Sequence, residues 1–281
     1  MAPWTELARA RSSSGEDLLL RERAGCIELR CNGWELMSNR AHHSEERLAA
    51  LACQQIGFPA AAPTAMAAAA LPATARPGDG QQTPPDDGQK NLRWRAGDRH
   101  ERSVAASAAH VLIGGLGLGF TLRAALDCLP CSARVTVAEL LPEIIAWNHG
   151  LLAPLTGHPL NDPRVAVVCD DIGAVLLAAK PATFDAIVLD TDNGPDSVML
   201  AGNTALYHPE TLRVIRHVLR PAGSLAVWSA DPSPRFEHAL RSTGFAWRAH
   251  SVPARGAPDD PLHTIYLAWH PGLEHDRHAP S

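Results

Sequence analysis

Between residues 108 and 270, short apolar runs alternate with amphipathic stretches. The apolar runs are His110–Ile113, Arg134–Ala138, Val165–Val168, Ala186–Leu189, Ser224–Trp228 and His263–Ala268. They are near-continuous rather than alternating, as expected of strands buried on both faces of a parallel sheet. Helical spacing lies between them, over Phe120–Cys128, Pro142–Asn148 and Pro209–Leu219. This alternation predicts an α/β fold, a doubly wound sheet with helices on both sides.

Upstream the pattern changes. Asp17–Arg21 and Cys26–Arg30, separated by Arg-Ala-Gly, predict a β-hairpin, and Asn32-Gly33 predicts a turn into a third short strand. SEERLAALACQQ, from Ser44 to Gln55, predicts a helix with Ser44 as its cap and Glu45 and Glu46 in its first turn. Residues 1–57 thus read as a small N-terminal hairpin and helix unit. Residues 58–107 are dominated by Pro, Ala, Gly, Gln and Asp, too little apolar surface to offset chain entropy, and read as a flexible insertion. Residues 108–270 form the main domain and 271–281 a frayed tail.

The first strand of the main domain runs into glycines, HVLIGGLGLGFTLRAAL. Gly115, Gly117 and Gly119 have the GxGxG spacing of a Rossmann-like nucleotide loop, where missing Cβ atoms let the backbone press on a ligand. The next strand ends in Glu139, 139 − 119 = 20 residues on, where a carboxylate accepts both hydroxyls of a ribose. After the third strand comes Asp170-Asp171, and Asp171 is the choice for an adenine amine, the alternative being a cap for the following helix. The fourth strand, FDAIVLD, ends in Asp190, placed to anchor or deprotonate an amine; Asp192 is a second candidate or a turn former.

These runs resemble the spermidine synthase-like branch of the S-adenosylmethionine-dependent methyltransferase fold. The resemblance rests on IGGLGLG, VAELLPEI, DDIGAVL, FDAIVLDTDNGP and LYHPETLRVIRHVLRPAGSLAVW, and on GCIELRCNGWELMSNRAHHSEERLA upstream. It covers about residues 24–56 and 110–269. It implies a seven-stranded sheet with an antiparallel last hairpin. It assigns Glu139 to the ribose, Asp171 to the adenine, the Gly115–Gly119 loop to the sulfonium side chain and Asp190 to catalysis. It sets Tyr207 at the border of the acceptor site, where packing is the alternative role. A homodimer through the N-terminal unit is implied as well.

Three departures bear on the substrate. Where aminopropyltransferases carry GGGDGG, this chain has Gly114-Gly115-Leu116-Gly117-Leu118-Gly119, so Gly117 replaces the aspartate that would bind the donor's ammonium. The family's Tyr-His/Gln-Glu is represented by Ser44-Glu45-Glu46, and its SSDPxGP by TDNGP. The expected function is aminopropyl transfer to an amine (polyamine) acceptor from S-adenosylmethionine or its decarboxylated form. The alternatives are methyl transfer to a small molecule, a non-catalytic binding protein of the same fold and, from the glycine loop alone, a nicotinamide-dependent dehydrogenase.

Charge narrows the partners. With 25 basic and 30 acidic residues the net charge is −5, which argues against coating nucleic acid or an anionic membrane. No secretory leader or stretch of about 18 apolar residues is read, and the expected location is cytoplasmic. Cys128 and Cys131 form a single CxxC, and the histidines show no ligand spacing, so no metal is expected.

Overall fold

A computed structural model describes residues 2–12, 15–59, 108–191, 194–196 and 201–271. Residues 60–107 and 272–281, where the insertion and the tail were read, lie outside the described residues.

The N-terminal unit is a four-stranded antiparallel sheet in chain order, β1 (Thr5–Arg11), β2 (Asp17–Arg23), β3 (Cys26–Cys31) and β4 (Trp34–Ser38). Two tight turns set its register. Ala24-Gly25 and Asn32-Gly33 all have positive φ, the two-residue turn whose twist matches paired strands. Strand β1 was not expected, because TELARAR has too few large apolar positions to show period two. Helix α1 (His43–Gln55) follows, with His42 as its cap residue. Ser44 therefore is not the cap: it is fully buried in the first turn, and its hydroxyl bonds His263 and Trp228 instead.

The main sheet has seven strands in the order β10-β11-β9-β8-β5-β6-β7. In chain order these are β5 (His110–Gly114), β6 (Arg134–Glu139), β7 (Val165–Cys169), β8 (Phe184–Leu189), β9 (Leu219–Ser229), β10 (Ala246–Pro253) and β11 (Leu262–Trp269). Strands β9, β8, β5, β6 and β7 run parallel, while β11 is antiparallel to both β9 and β10. The connecting helices are α2 (Phe120–Cys128), α3 (Pro142–His149), α4 (Ile172–Ala178), α5 (Pro209–Val218) and α6 (Pro234–Ser242). The pattern of apolar positions drew neither helix α6 nor strand β10, the latter being the seventh strand and first half of the antiparallel last hairpin that the resemblance implies. AWRAHSVP is an edge strand with polar residues on both faces, whereas α6 did leave a signal, Ser233 capping Phe236 N ahead of Pro234 at the first turn.

Strand β5 sits where the winding reverses, with β6 on one side and β8 on the other. Such a switch point opens a crevice at the C-terminal strand ends. The sheet buries two apolar layers. One joins Leu112, Ile172, Ile187, Leu212, Leu225 and Tyr266. The other is continuous from Leu18, Leu29 and Leu48 of the N-terminal unit to Ile113, Val137 and Val188 of the sheet. Helix α1 therefore covers the sheet as an integral layer. Among the described residues no helix is long and apolar enough to cross a membrane.

One side chain outside this core secures the frame around β7. Arg164 donates to the Leu126 and Leu129 carbonyls at 2.9 and 2.7 Å, satisfying the exposed end of α2, and pairs with Asp162 at 2.7 Å. The guanidinium pulls the Asp162 carboxyl down to about 2. Arg164→Ala is expected to cost about 1–3 kcal/mol in urea unfolding. Since Asp162 titrates below its unfolded value of 3.8, its share of stability is present above that pH and lost as pH falls toward 2. The variant should show a shallower acid limb over that window, and identical limbs would remove Asp162 from the account.

Candidate functional site

The glycine loop works through close approach. Gly115 has φ +90°, and a Cβ there would lie 2.3 Å from the Asp190 carbonyl oxygen, so only glycine lets the ends of β5 and β8 meet. Asp190 N donates to Gly114 O at 2.9 Å, and Gly115 N to Ala138 O at 2.9 Å. Gly117 lies beneath β4: a Cβ would stand 2.7 Å from Met37 Sδ. Asn148, on α3, donates to Gly117 O at 2.9 Å and fixes the loop from behind. Gly119 faces away from the crevice, against Thr156 and Asn148, as the residue that starts α2.

Three strand ends carry carboxylates into the same place. Glu139 is 7% exposed and accepts from Leu116 N at 2.8 Å and Leu141 N at 2.9 Å. It thus ties the glycine loop to the end of β6. Burial pushes its carboxyl above the usual range, and the surrounding backbone N–H donors oppose that shift. Asp171 does cap α4, with Oδ1 accepting from Ala174 N at 3.2 Å, and it also lines the crevice. Asp190 accepts from the Thr121 hydroxyl at 2.5 Å. Desolvation raises it to about 6, against the pull of Thr121.

The crevice is a half-open cleft with about 800 Å³ of space, its open mouth included. Gly115, Gly117, Glu139, Asp171 and Asp190 all line it. Gly119 does not, and its part is to start α2. Tyr207 does not line it either. Its ring is buried edge-on to Phe236, and its hydroxyl donates to Thr191 O at 3.1 Å, so it braces the segment after Asp190, in line with the packing alternative. Asp192 lies outside the described residues.

The lining also contains residues that pattern reading did not select, Glu45, Met37, Asp170 and Trp228. Glu45 was read as a first-turn helix acid and as the middle residue of Ser44-Glu45-Glu46, which stands where the resembled family has Tyr-His/Gln-Glu, and helical periodicity does not say which of Glu45 and Glu46 faces a cleft. Burial first, and then Asp190, push the Glu45 carboxyl well above its usual range. Among the described lining residues there are five carboxylates (Glu45, Glu139, Asp170, Asp171, Asp190) and no lysine, arginine or histidine.

No protein-family model matches the chain. It is 34% identical over 185 residues to polyamine aminopropyltransferase 2 of Streptomyces coelicolor, covering 60% of this chain and 32% of that protein. Over 158 residues it is 32% identical to the polyamine aminopropyltransferase of Mycobacterium tuberculosis, covering 53% and 29%. Among solved structures, a spermidine synthase in complex with the transition state analogue AdoDATO superposes with a TM-score of 0.62 at 15% identity, covering 94% of this chain and 71% of that one. Spermidine synthase from Thermotoga maritima gives the same TM-score, covering 94% and 72%. The chain is thus similar to polyamine aminopropyltransferases in sequence and to spermidine synthases in fold. The structural likeness carries the fold, and the sequence matches carry the kinship. The chain spans about a third of the length of the curated relatives it matches, 32% and 29% for the two named here.

Proposed function

We propose that the protein transfers an aminopropyl group from decarboxylated S-adenosylmethionine to an amine of the polyamine class. The observation that carries this reading is the cleft's charge, five carboxylates without a basic residue among the described lining. Such a cleft suits a ligand with net positive charge. A free carboxylate on the ligand would be desolvated there with no counter-charge, which is costly. Both substrates of aminopropyl transfer are cations without a carboxylate.

In this reading Glu139 accepts from the ribose hydroxyls, Asp171 from the adenine amine, and the loop at Gly115 and Gly117 admits the sulfonium side chain. Asp190 orients the attacking amine. The amine lone pair attacks the carbon next to sulfur, a C–N bond forms and the C–S bond breaks. The electron pair stays on sulfur, methylthioadenosine leaves, and Asp190 takes the proton shed by the new ammonium. Positioning supplies most of the acceleration. With a carboxyl near 6 in the ligand-free cleft, Asp190 is ionised at neutral pH and gains affinity for a cation as pH rises through that value.

The test is calorimetric titration with S-adenosylmethionine, its decarboxylated form and methylthioadenosine, with Glu139→Ala as control. Preference for the decarboxylated donor, lost in the control, is expected. A preference for the intact donor would move the reading to methyl transfer, a possibility given some weight by the 30% identity over 115 residues to putrescine N-methyltransferase 1 of Nicotiana tabacum. Binding of none would leave a non-catalytic protein of this fold.

A further inference from the structure

We infer that Glu45, presented by α1, is the specificity-determining residue that receives the donor's primary ammonium beside Asp190 and turns away a carboxylate at that place. The inference rests on the nucleoside reading above and goes further in naming which residue chooses the donor.

The place is defined by exclusion as much as by contact. The glycine loop bears no side chain at Gly117, and the direction in which one would grow is filled by Met37 Sδ and Cε, at 2.7 and 2.8 Å from the would-be Cβ. An acid therefore does not reach the cleft from the loop. Glu45 lines it from the first turn of α1, close enough to Asp190 for the two charges to repel. No lysine, arginine or histidine among the described lining residues neutralises the pair. An arriving ammonium replaces that repulsion with two charge-assisted contacts.

The anchoring of Glu45 is unusual for a surface-helix acid. Its neighbour Ser44 is fully buried and bonded on two sides, accepting from Trp228 Nε1 at 3.0 Å and meeting His263 Nδ1 at 2.9 Å. The same hydroxyl donates to Glu45 Oε2 at 3.5 Å, so Ser44 links the acid directly to Trp228 and His263. Burial holds the His263 imidazole below its usual range. Trp228 stands edge-on to His263 at 4.7 Å and also lines the cleft. Strands β9 and β11 thereby hold both Trp228 and the turn that carries Glu45. Ser44 is a positioning residue in this arrangement.

A purely structural role for Glu45 makes the opposite prediction on stability. A first-turn acid helps a helix dipole, so its loss should weaken the fold. A desolvated carboxylate facing another should instead leave Glu45→Gln as stable as the parent or more so. Titration calorimetry of Glu45→Gln and Ser44→Ala with decarboxylated S-adenosylmethionine, S-adenosylmethionine and methylthioadenosine, with thermal melts alongside, separates the cases. In Glu45→Gln the decarboxylated donor should bind roughly 10- to 100-fold more weakly, its advantage over the intact donor should shrink, and methylthioadenosine, which has no ammonium, should be unaffected. Ser44→Ala should shift the same ratio in the same direction by less. If methylthioadenosine binds but the ratio between it and the decarboxylated donor matches the parent in Glu45→Gln, the assignment of Glu45 is overturned alone. If the parent protein binds none of the three, the nucleoside reading fails and takes the assignment with it.

Discussion

Asp190→Asn should abolish transfer and yet make the ligand-free protein more stable. Asparagine preserves the acceptor for the Thr121 hydroxyl, so the local geometry has a reason to persist. What disappears is the capacity to take a proton, and the loss expected for a positioned base is roughly 10²–10⁴-fold in rate. The stability effect follows from linkage. The carboxyl sits at about 6 in the folded protein against an ordinary 3.8, so the folded state holds its proton more tightly than the unfolded one. On this group's account stability therefore falls as pH rises from about 4 to 6 and stays low above that. Melting temperatures of the parent and Asp190→Asn should converge near pH 4 and diverge in the variant's favour by neutral pH. A variant retaining transfer within tenfold would remove Asp190 from the chemistry, whatever its melting curve did.

The second large effect is steric. Gly115→Ala introduces a Cβ 2.3 Å from the Asp190 carbonyl oxygen at a backbone angle of φ +90°. The atom it meets is backbone, which does not swing away, so the ends of β5 and β8 have to part. We expect a loss of about 2–4 kcal/mol in urea unfolding, together with loss of nucleoside binding. Gly33→Ala is the matched control. Its φ is +84°, but nothing lies within 4 Å, so it reports the left-handed backbone alone, about 1–2 kcal/mol. Equal losses at the two positions would mean that the close approach at Gly115 contributes nothing.

Sequence pattern located what periodicity and strand-end chemistry encode. The six apolar runs became strands because burial on both faces leaves few polar positions, and their ends grew by only a residue or two, except β9, which begins at Leu219. Glu139, Asp171 and Asp190 converge on one cleft because each follows a parallel strand on the same side of the sheet. What stayed hidden depends on contacts distant in sequence. Ser44 has the chemistry of a cap, and only the approach of Trp228 and His263 draws its hydroxyl away. Tyr207 has an amphipathic side chain suited to a ligand, yet its hydroxyl is engaged by Thr191. Glu45 and Glu46 are equivalent as helix-start acids, and the fold alone sets Glu45 in the cleft. Strand β1 and edge strand β10 bury too little to print a period.

The bond between Ser44 and His263 joins residues 219 positions apart. Contacts between residues so far apart in sequence raise the contact order of a fold and slow its formation. The wall that presents Glu45 is therefore complete only in a chain whose first helix has met its last strand. A partly folded chain would hold a nucleoside pocket without a means of choosing among nucleosides, so selectivity in this protein is a mark of complete folding.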